Sequence, residues 1–374
     1  MGPLSLADVE REARDRLPSH IWDFIAGGSG AERTLAANLS QFDDYRLRPR
    51  VLVDVAHCDT GLSLLGSALR APLGIAPMAY HRLVDPEGET ATARAAGRTG
   101  TLLVAGIFAS RTLEEIAAAA AGPLWLQLYW LRRRDVLAGL VERAEAAGYR
   151  ALVLTVDAPR VGRRLRDLRN GFAIPPDVRA VNLDPALMAT SHRGDAGTSG
   201  IAAHALEQFD PTLTWSDLAW LRARTPLPLV LKGILTAEDA RLAVEHGADA
   251  VVVSNHGGRQ LDGVPPTLAV LPEVVDALPP GMPTLLDGGV RTGADIAVAL
   301  ALGARAVLVG RPVLWGLATG GEDGAARVLD LLCTELAHTM ALLGRPGLPD
   351  LDPTALGLPN HARPTVSERA GHLR

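Results

Sequence analysis

Residues 228–254 read PLVLK, then GILTAEDARLAVEHG, then ADAVVVS. A short apolar run closes on a lysine, an Ala-rich amphipathic stretch at 236–246 stops at Gly247, and a second apolar run follows. A run that is apolar at successive positions suits a strand covered on both faces, as in a parallel sheet. Parallel neighbours need a crossover, and the helical stretch supplies one, with Gly247 placed where a left-handed helix cap wants glycine.

The same unit recurs from residue 71 onward. Apolar runs at 72–77, 102–107, 124–129, 151–157, 228–232, 250–254, 283–287 and 306–310 predict eight strands, and 132–147 is another amphipathic helix ending at a glycine, Gly148. An open, doubly wound sheet is the competing topology. Eight βα units in one run favour closure, so the predicted fold is α/β, a (β/α)8 TIM barrel. The whole chain, 1–374, is read as one domain: a helical N-terminal extension over 1–70, with two helices in 5–45; a barrel over 71–345, ending in an amphipathic helix at 325–344; and a loosely ordered, Pro-containing C-terminal tail over 346–374. A long loop after strand 4, 158–213, exceeds ordinary βα connections and is read as a soluble cover for an active site.

Bulk properties narrow the function. The chain has 37 Lys and Arg against 42 Asp and Glu, a net charge of −5, so no basic excess drives binding to nucleic acid. Cys58 and Cys333 stand far apart and form no Cys/His cluster, which argues against a disulfide framework or a metal site and fits a reducing cytoplasm. Acidic residues stand where a signal peptide would be basic, and no segment approaches the roughly 18 apolar residues of a membrane span.

In such a barrel the chemistry sits at the C-terminal strand ends. There the sequence places Gln127 and Tyr129, Thr155 and Asp157, Lys232, Ser254 with His256 and Arg259, Asp287 with Arg291, and Gly310 with Arg311. The stretches LLDGGVRTG (285–293) and VGRP (309–312) carry Gly288, Gly289 and Gly310 at strand-to-helix turns, where backbone amides and guanidinium groups suit a phosphate. Two glycine turns beside surface arginines are the plainer alternative. Lys232 follows Leu229, Val230 and Leu231, and a cation buried there needs an anionic or electron-rich partner. A reduced flavin would serve; so would a structural carboxylate. The stretch VVVSNHGGRQLD (251–262) sets a histidine suited to general-base work just past a strand, with Arg259 able to grip a carboxylate, and TVDAPRVGRRLRD (155–167) adds Asp157 to orient the imidazole. A satisfied structural histidine is the alternative.

Taken together, SNHGGRQLD (254–262), LKGILTAEDA (231–240) and DGGVR (287–291) resemble the FMN-dependent alpha-hydroxy acid oxidases and dehydrogenases, over about residues 5–345. The resemblance implies FMN as cofactor and a small 2-hydroxy acid and oxygen as reactants. It makes His256 the base, with Asp157 behind it; Arg164 and Arg259 the grip on the substrate carboxylate; and Tyr129 the hydrogen-bond partner of the substrate hydroxyl. Pro77, Met78, Ala79, Gln127, Thr155, Lys232 and Ser254 would line the isoalloxazine and ribityl chain, and Asp287, Gly288, Gly289, Arg291, Gly310 and Arg311 would hold ribityl and phosphate. A cytoplasmic homo-oligomer, tetramer or octamer, is also implied, with no nucleic acid, membrane or metal involved.

Two positions depart from the family's pattern, and a third bears on the pocket. Phe24 replaces a tyrosine that would touch substrate, Gly106 replaces a serine near the flavin, and Phe108 stands where a bulky residue caps the pocket. Phenylalanines facing the pocket would favour an aryl substrate, although both would equally serve as core filling. With WDFIAGG (22–28), PMAYH (77–81) and RRLRDLRNGF (163–172), the narrower resemblance is to the bacterial 4-hydroxymandelate oxidases, which act on the route to hydroxyphenylglycine. Ala79 leans toward oxygen as acceptor. The expectation is therefore an (S)-mandelate-type oxidase. A glycolate or lactate oxidase, a mandelate dehydrogenase with another acceptor, a flavin-dependent isomerase and a non-catalytic barrel remain as alternatives.

Overall fold

The computed structural model of the chain describes residues 2–183 and 207–357. A hairpin, β1 (Leu62–Leu64) and β2 (Ser67–Leu69), precedes eight parallel strands: β3 (Leu73–Ile75), β4 (Leu102–Gly106), β5 (Leu124–Leu128), β6 (Leu152–Thr155), β7 (Leu229–Ile234), β8 (Ala250–Val253), β9 (Thr284–Asp287) and β10 (Ala306–Val309). Each predicted run is a strand. The sheet is closed, because β10 pairs with β9 through Leu308 and Asp287 and with β3 through Val307 and Leu73.

Unbroken apolar strands follow from a core on both faces of the sheet. Leu102, Val104, Trp125, Val153, Val230, Val252, Leu285 and Leu308 fill the barrel interior. Their chain neighbours Leu103, Leu126, Leu154, Leu229, Leu231, Val251 and Val253 pack outward in the second core. The helices Arg134–Ala146 and Ala237–Glu245 end before Gly148 and Gly247, whose φ values of 84° and 78° fit the expected caps.

Leu64 and Leu69 of the hairpin join the interior cluster beside Leu102, Ala151, Ala250 and Ala306, at the end where strands begin. The hairpin thus closes that end and leaves the other for chemistry. It escaped the sequence reading because its turn puts Leu65 and Gly66 at φ 45° and 75°, and leucine carries no signal for a left-handed turn position.

Other boundaries need correction. The N-terminal extension forms three helices, Leu6–Arg16, Ser19–Ala26 and Arg33–Ser40, where two were expected. The break falls at Gly27 and Gly28, where a Cβ on Gly28 would lie 2.8 Å from the Gly258 carbonyl oxygen, so the chain presses on the loop after β8. The final helix spans Arg311–Leu343, with non-helical backbone at Gly320 and Gly321, and is far longer than 325–344. Residues 346–357 are packed and not loose: Leu351 and Ala355 are buried, Leu356 bridges Leu47, and the Arg48 amide donates to Ala355 O at 2.8 Å. Residues 184–206 of the long connection and 358–374 of the tail lie outside the described residues.

Candidate active site

The open end of the barrel holds a cleft lined by residues from the N-terminal extension, the strand ends and the loops after them. Phe24, Pro77, Met78, Ala79, Phe108, Tyr129, Arg164, Lys232, His256, Arg259, Asp287, Gly288, Gly289, Arg291, Gly310 and Arg311 all line it, as the sequence predicts. Gln127, Thr155, Asp157 and Ser254 stand behind that wall, each hydrogen-bonded to another predicted residue. The described ends of the long connection contribute Ala158, Val161, Arg164 and Phe209 to the lining, in keeping with a covering role.

The turn after β8 positions the histidine. His256 adopts φ +58°, an uncommon backbone state that persists only when its surroundings enforce it. Its amide donates to Ser254 Oγ at 3.1 Å, and the Asn255 side chain exchanges two 2.8 Å hydrogen bonds with Asn38 of the N-terminal extension. His256 Nδ1 meets Asp157 Oδ1 at 2.9 Å, and Nε2 faces the Tyr129 hydroxyl at 3.5 Å. Burial alone would raise the Asp157 carboxyl, but His256 and then Lys232 hold it below the usual carboxylate range. Burial pushes the Tyr129 phenol up, so it stays a protonated donor.

Lys232 meets the structural-carboxylate reading and still lines the cavity. Nζ lies 2.8 Å from Asp287 Oδ2 and donates to Ser254 Oγ at 2.7 Å, with the lysine and aspartate side chains 5% and 8% exposed. Burial opposes its charge, yet Asp287 and Asp157 raise it above the ordinary lysine range.

Among the described residues lining the cavity, Lys232, Arg164, Arg259, Arg291 and Arg311 face one carboxylate, Asp287, which Lys232 already engages. Burial, reinforced by mutual repulsion with Arg164 and Arg311, pushes Arg259 well below its usual value. Arg311 is pushed down to about 9 by burial and then by Arg291 and Arg164. Part of that charge rests on the C-terminal end of the helix Ser19–Ala26, where backbone carbonyls are partially negative. Arg259 Nη1 donates to Phe24 O at 2.7 Å and Gly27 O at 2.9 Å, while Arg311 donates through Nε to Ile25 O at 3.0 Å and through Nη2 to Gly27 O at 2.9 Å. Carbonyl dipoles do not neutralise buried guanidinium groups, so the cavity is built for anions.

The residues present fit FMN. Gly288 and Gly289 have φ 99° and 88° and line the cavity together with Arg291 and Arg311, whose charges oppose each other, so the residues that would hold a phosphate share one site. Asp287 Oδ1 is buried without a partner, a free acceptor suited to a ribityl hydroxyl. At Gly106 a Cβ would stand 3.3 Å from Gln127 Oε1, so the missing side chain leaves that amide unobstructed. Gly289→Ala should be severely destabilising: its Cβ would fall 1.9 Å from Asn38 O in a left-handed conformation. Strain and overpacking together are expected to cost about 2–5 kcal/mol in urea unfolding and to weaken FMN retention.

The sequence reading missed part of the aromatic wall. Phe209 stacks on Tyr129 with ring centroids 4.4 Å apart and sits 5.9 Å from Phe108; Tyr80 lies 6.2 Å from Phe108 on its other side. Phe24, which does line the cavity, is backed by Phe172 at 4.4 Å and an interplanar angle of 4°. Phe209 comes from the end of the long connection, where no periodicity marks it.

Comparisons with known proteins agree with this geometry. The pattern of the FMN-dependent dehydrogenases matches residues 13–358. The chain is 50% identical to a 4-hydroxymandelate oxidase from Amycolatopsis orientalis, over 91% of this chain and 94% of that enzyme. It is 48% identical to an L-lactate oxidase from Nostoc sp., over 95% of this chain and 98% of that one. Among solved structures, a mandelate oxidase with (S)-4-hydroxymandelic acid superposes with a TM-score of 0.91 at 48% identity, covering 95% of this chain and 98% of that one.

Proposed function

The chain belongs to the FMN-dependent dehydrogenase family, with FMN as cofactor, and from that premise we propose that it oxidises an (S)-2-hydroxy acid with an aryl group to the 2-oxo acid. Mandelate or 4-hydroxymandelate is the proposed substrate, and oxygen the acceptor, giving hydrogen peroxide. The observation that carries the aryl assignment is that Phe24, Tyr80, Phe108, Tyr129 and Phe209 line the same cavity as Arg164 and Arg259, with Arg259 packed on the Phe24 ring at 5.1 Å. Ring contacts of this kind add to apolar burial for an aryl group and do little for a methyl or hydrogen.

Arg164 and Arg259 bind the substrate carboxylate, and Tyr129 donates to the oxygen on the alpha carbon. His256 Nε2 takes a proton from the substrate as the C–O single bond becomes a carbonyl; Asp157 holds the Nδ1–H and stabilises the resulting imidazolium. Lys232 supplies a fixed positive charge beside the ring site, and the Gly288–Gly289 turn with Arg291 and Arg311 holds the phosphate. FMN, when bound, would supply the acceptor for the two electrons and the second hydrogen lost by the substrate, which with the proton held on His256 would pass to oxygen as hydrogen peroxide.

An aliphatic substrate is the second reading, favoured by the Nostoc lactate oxidase at 48% identity. Oxygen uptake and anaerobic bleaching of the flavin across glycolate, lactate and both mandelates separate the two. The mandelates should exceed lactate in kcat/KM by at least about tenfold, and Phe108→Ala should narrow that gap. A preference for lactate moves the assignment to the aliphatic class, and no bleaching with any 2-hydroxy acid defeats both. A cytoplasmic homo-oligomer, tetramer or octamer, is proposed as well, to be checked by light scattering.

A further inference from the structure

The two arginines proposed to grip the substrate carboxylate come from two loops that no strand pairing ties together. Asp157 and Arg164 follow β6, His256 and Arg259 follow β8, and β7 lies between those strands. The register of the barrel therefore does not by itself fix the distance from Arg164 to Arg259.

Besides the His256–Asp157 hydrogen bond, a second side chain spans the gap next to the arginines. Gln260 is 8% exposed; its Nε2 donates to Asp157 O and to Arg160 O, each at 2.9 Å, and its Oε1 accepts from the Gly162 amide at 2.9 Å. Both amide hydrogens and the carbonyl are thus spent on one short stretch of the opposite loop. The backbones touch there too, because a Cβ on Gly162 would fall 2.3 Å from Arg259 O and 2.7 Å from Gln260 O. On its far side Gln260 O accepts from the Ser29 hydroxyl, anchoring the junction to the N-terminal extension.

The place of this clamp in the chain is what gives it a function. Arg259 immediately precedes Gln260, and Arg164 comes two residues after Gly162. The two guanidinium groups repel each other, so loosening this junction would let the arginines drift apart even with the His256–Asp157 bond intact. Recognition of a carboxylate by guanidinium is steep in geometry, since its hydrogen bonds must align together.

We propose that Gln260 is a positioning residue that holds Arg164 and Arg259 at the spacing a substrate carboxylate requires. This rests on the reading of those two arginines given above. Gln260 acts through the loops, and its removal should affect ligands according to their charge.

The test uses full-length holoenzyme and two probes that lack the alpha hydroxyl and cannot be oxidised: phenylacetate, and its neutral counterpart phenylacetamide. Each is titrated while the visible absorbance of the bound flavin is followed. In Gln260→Leu the Kd of phenylacetate should rise by about tenfold or more while that of phenylacetamide stays within about threefold, and KM for mandelate should rise by more than kcat falls. Gln260→Glu keeps the acceptor for Gly162 and loses both donors, and should shift phenylacetate in the same direction; it decides the matter if the leucine variant does not retain flavin. Equal losses for both probes, an unchanged phenylacetate Kd, or loss of flavin in both variants overturns the proposal. If the unaltered enzyme itself fails to prefer phenylacetate over phenylacetamide, the arginine reading falls instead.

Discussion

Replacing His256 with asparagine should leave FMN bound and lower the rate of flavin reduction by on the order of 10²–10⁴-fold, the usual loss when a positioned base is removed. Asparagine is the informative choice because the backbone at 256 is left-handed, at φ +58°, and asparagine tolerates that state where alanine would add strain. The direction of the effect follows from the hydrogen bonds. Asp157 takes up Nδ1, which leaves Nε2, 3.5 Å from the Tyr129 hydroxyl, as the one ring nitrogen facing the cavity wall. An oxygen seated between Tyr129 and His256 would meet a donor on one side and a base on the other. The measurement is anaerobic stopped-flow reduction by (S)-mandelate together with the flavin-to-protein ratio. Reduction within tenfold of the unaltered enzyme would remove His256 from the chemistry.

Lys232→Met should be the most destabilising single change at the site. The lysine and Asp287 are in contact at 2.8 Å with almost no solvent access, and removing one member of a buried ion pair strands the other's charge, at about 3–5 kcal/mol. Asp287 already has one buried oxygen without a partner, so it has little means of compensating. Urea unfolding of the variant should show a lowered midpoint, and adding Asp287→Asn should recover part of the loss, since the amide leaves no stranded charge. A destabilisation below about 1 kcal/mol would mean that water reaches Asp287 after the change. Flavin reduction should fall as well, because the fixed positive charge beside the ring site is gone.

The barrel was legible because the strands are apolar on both faces and helices stop at glycine, as at Gly148 and Gly247. The site was legible because polar residues at strand ends have few structural reasons to be there. What stayed hidden was held by contacts distant in sequence. Leu65 turns left-handed in a hairpin only because Leu64 and Leu69 are drawn into the barrel interior. Phe209 becomes part of the cavity wall by stacking on a tyrosine eighty residues earlier in the chain. Residues 346–357 are rich in Pro and Gly, yet order against Leu47 and Arg48 near the other end of the sequence. The third N-terminal helix is short, and its value lies in Asn38, whose partner Asn255 adjoins the histidine.

The anchoring of Arg311 on Ile25 and Gly27 carries a consequence for biosynthesis. The acceptor carbonyls precede every barrel strand, and the guanidinium that binds them follows the last one. The anion pocket therefore cannot be complete until all eight strands have been made. Contacts of such long separation close late and slowly, so competence for cofactor should be one of the final properties the newborn protein acquires.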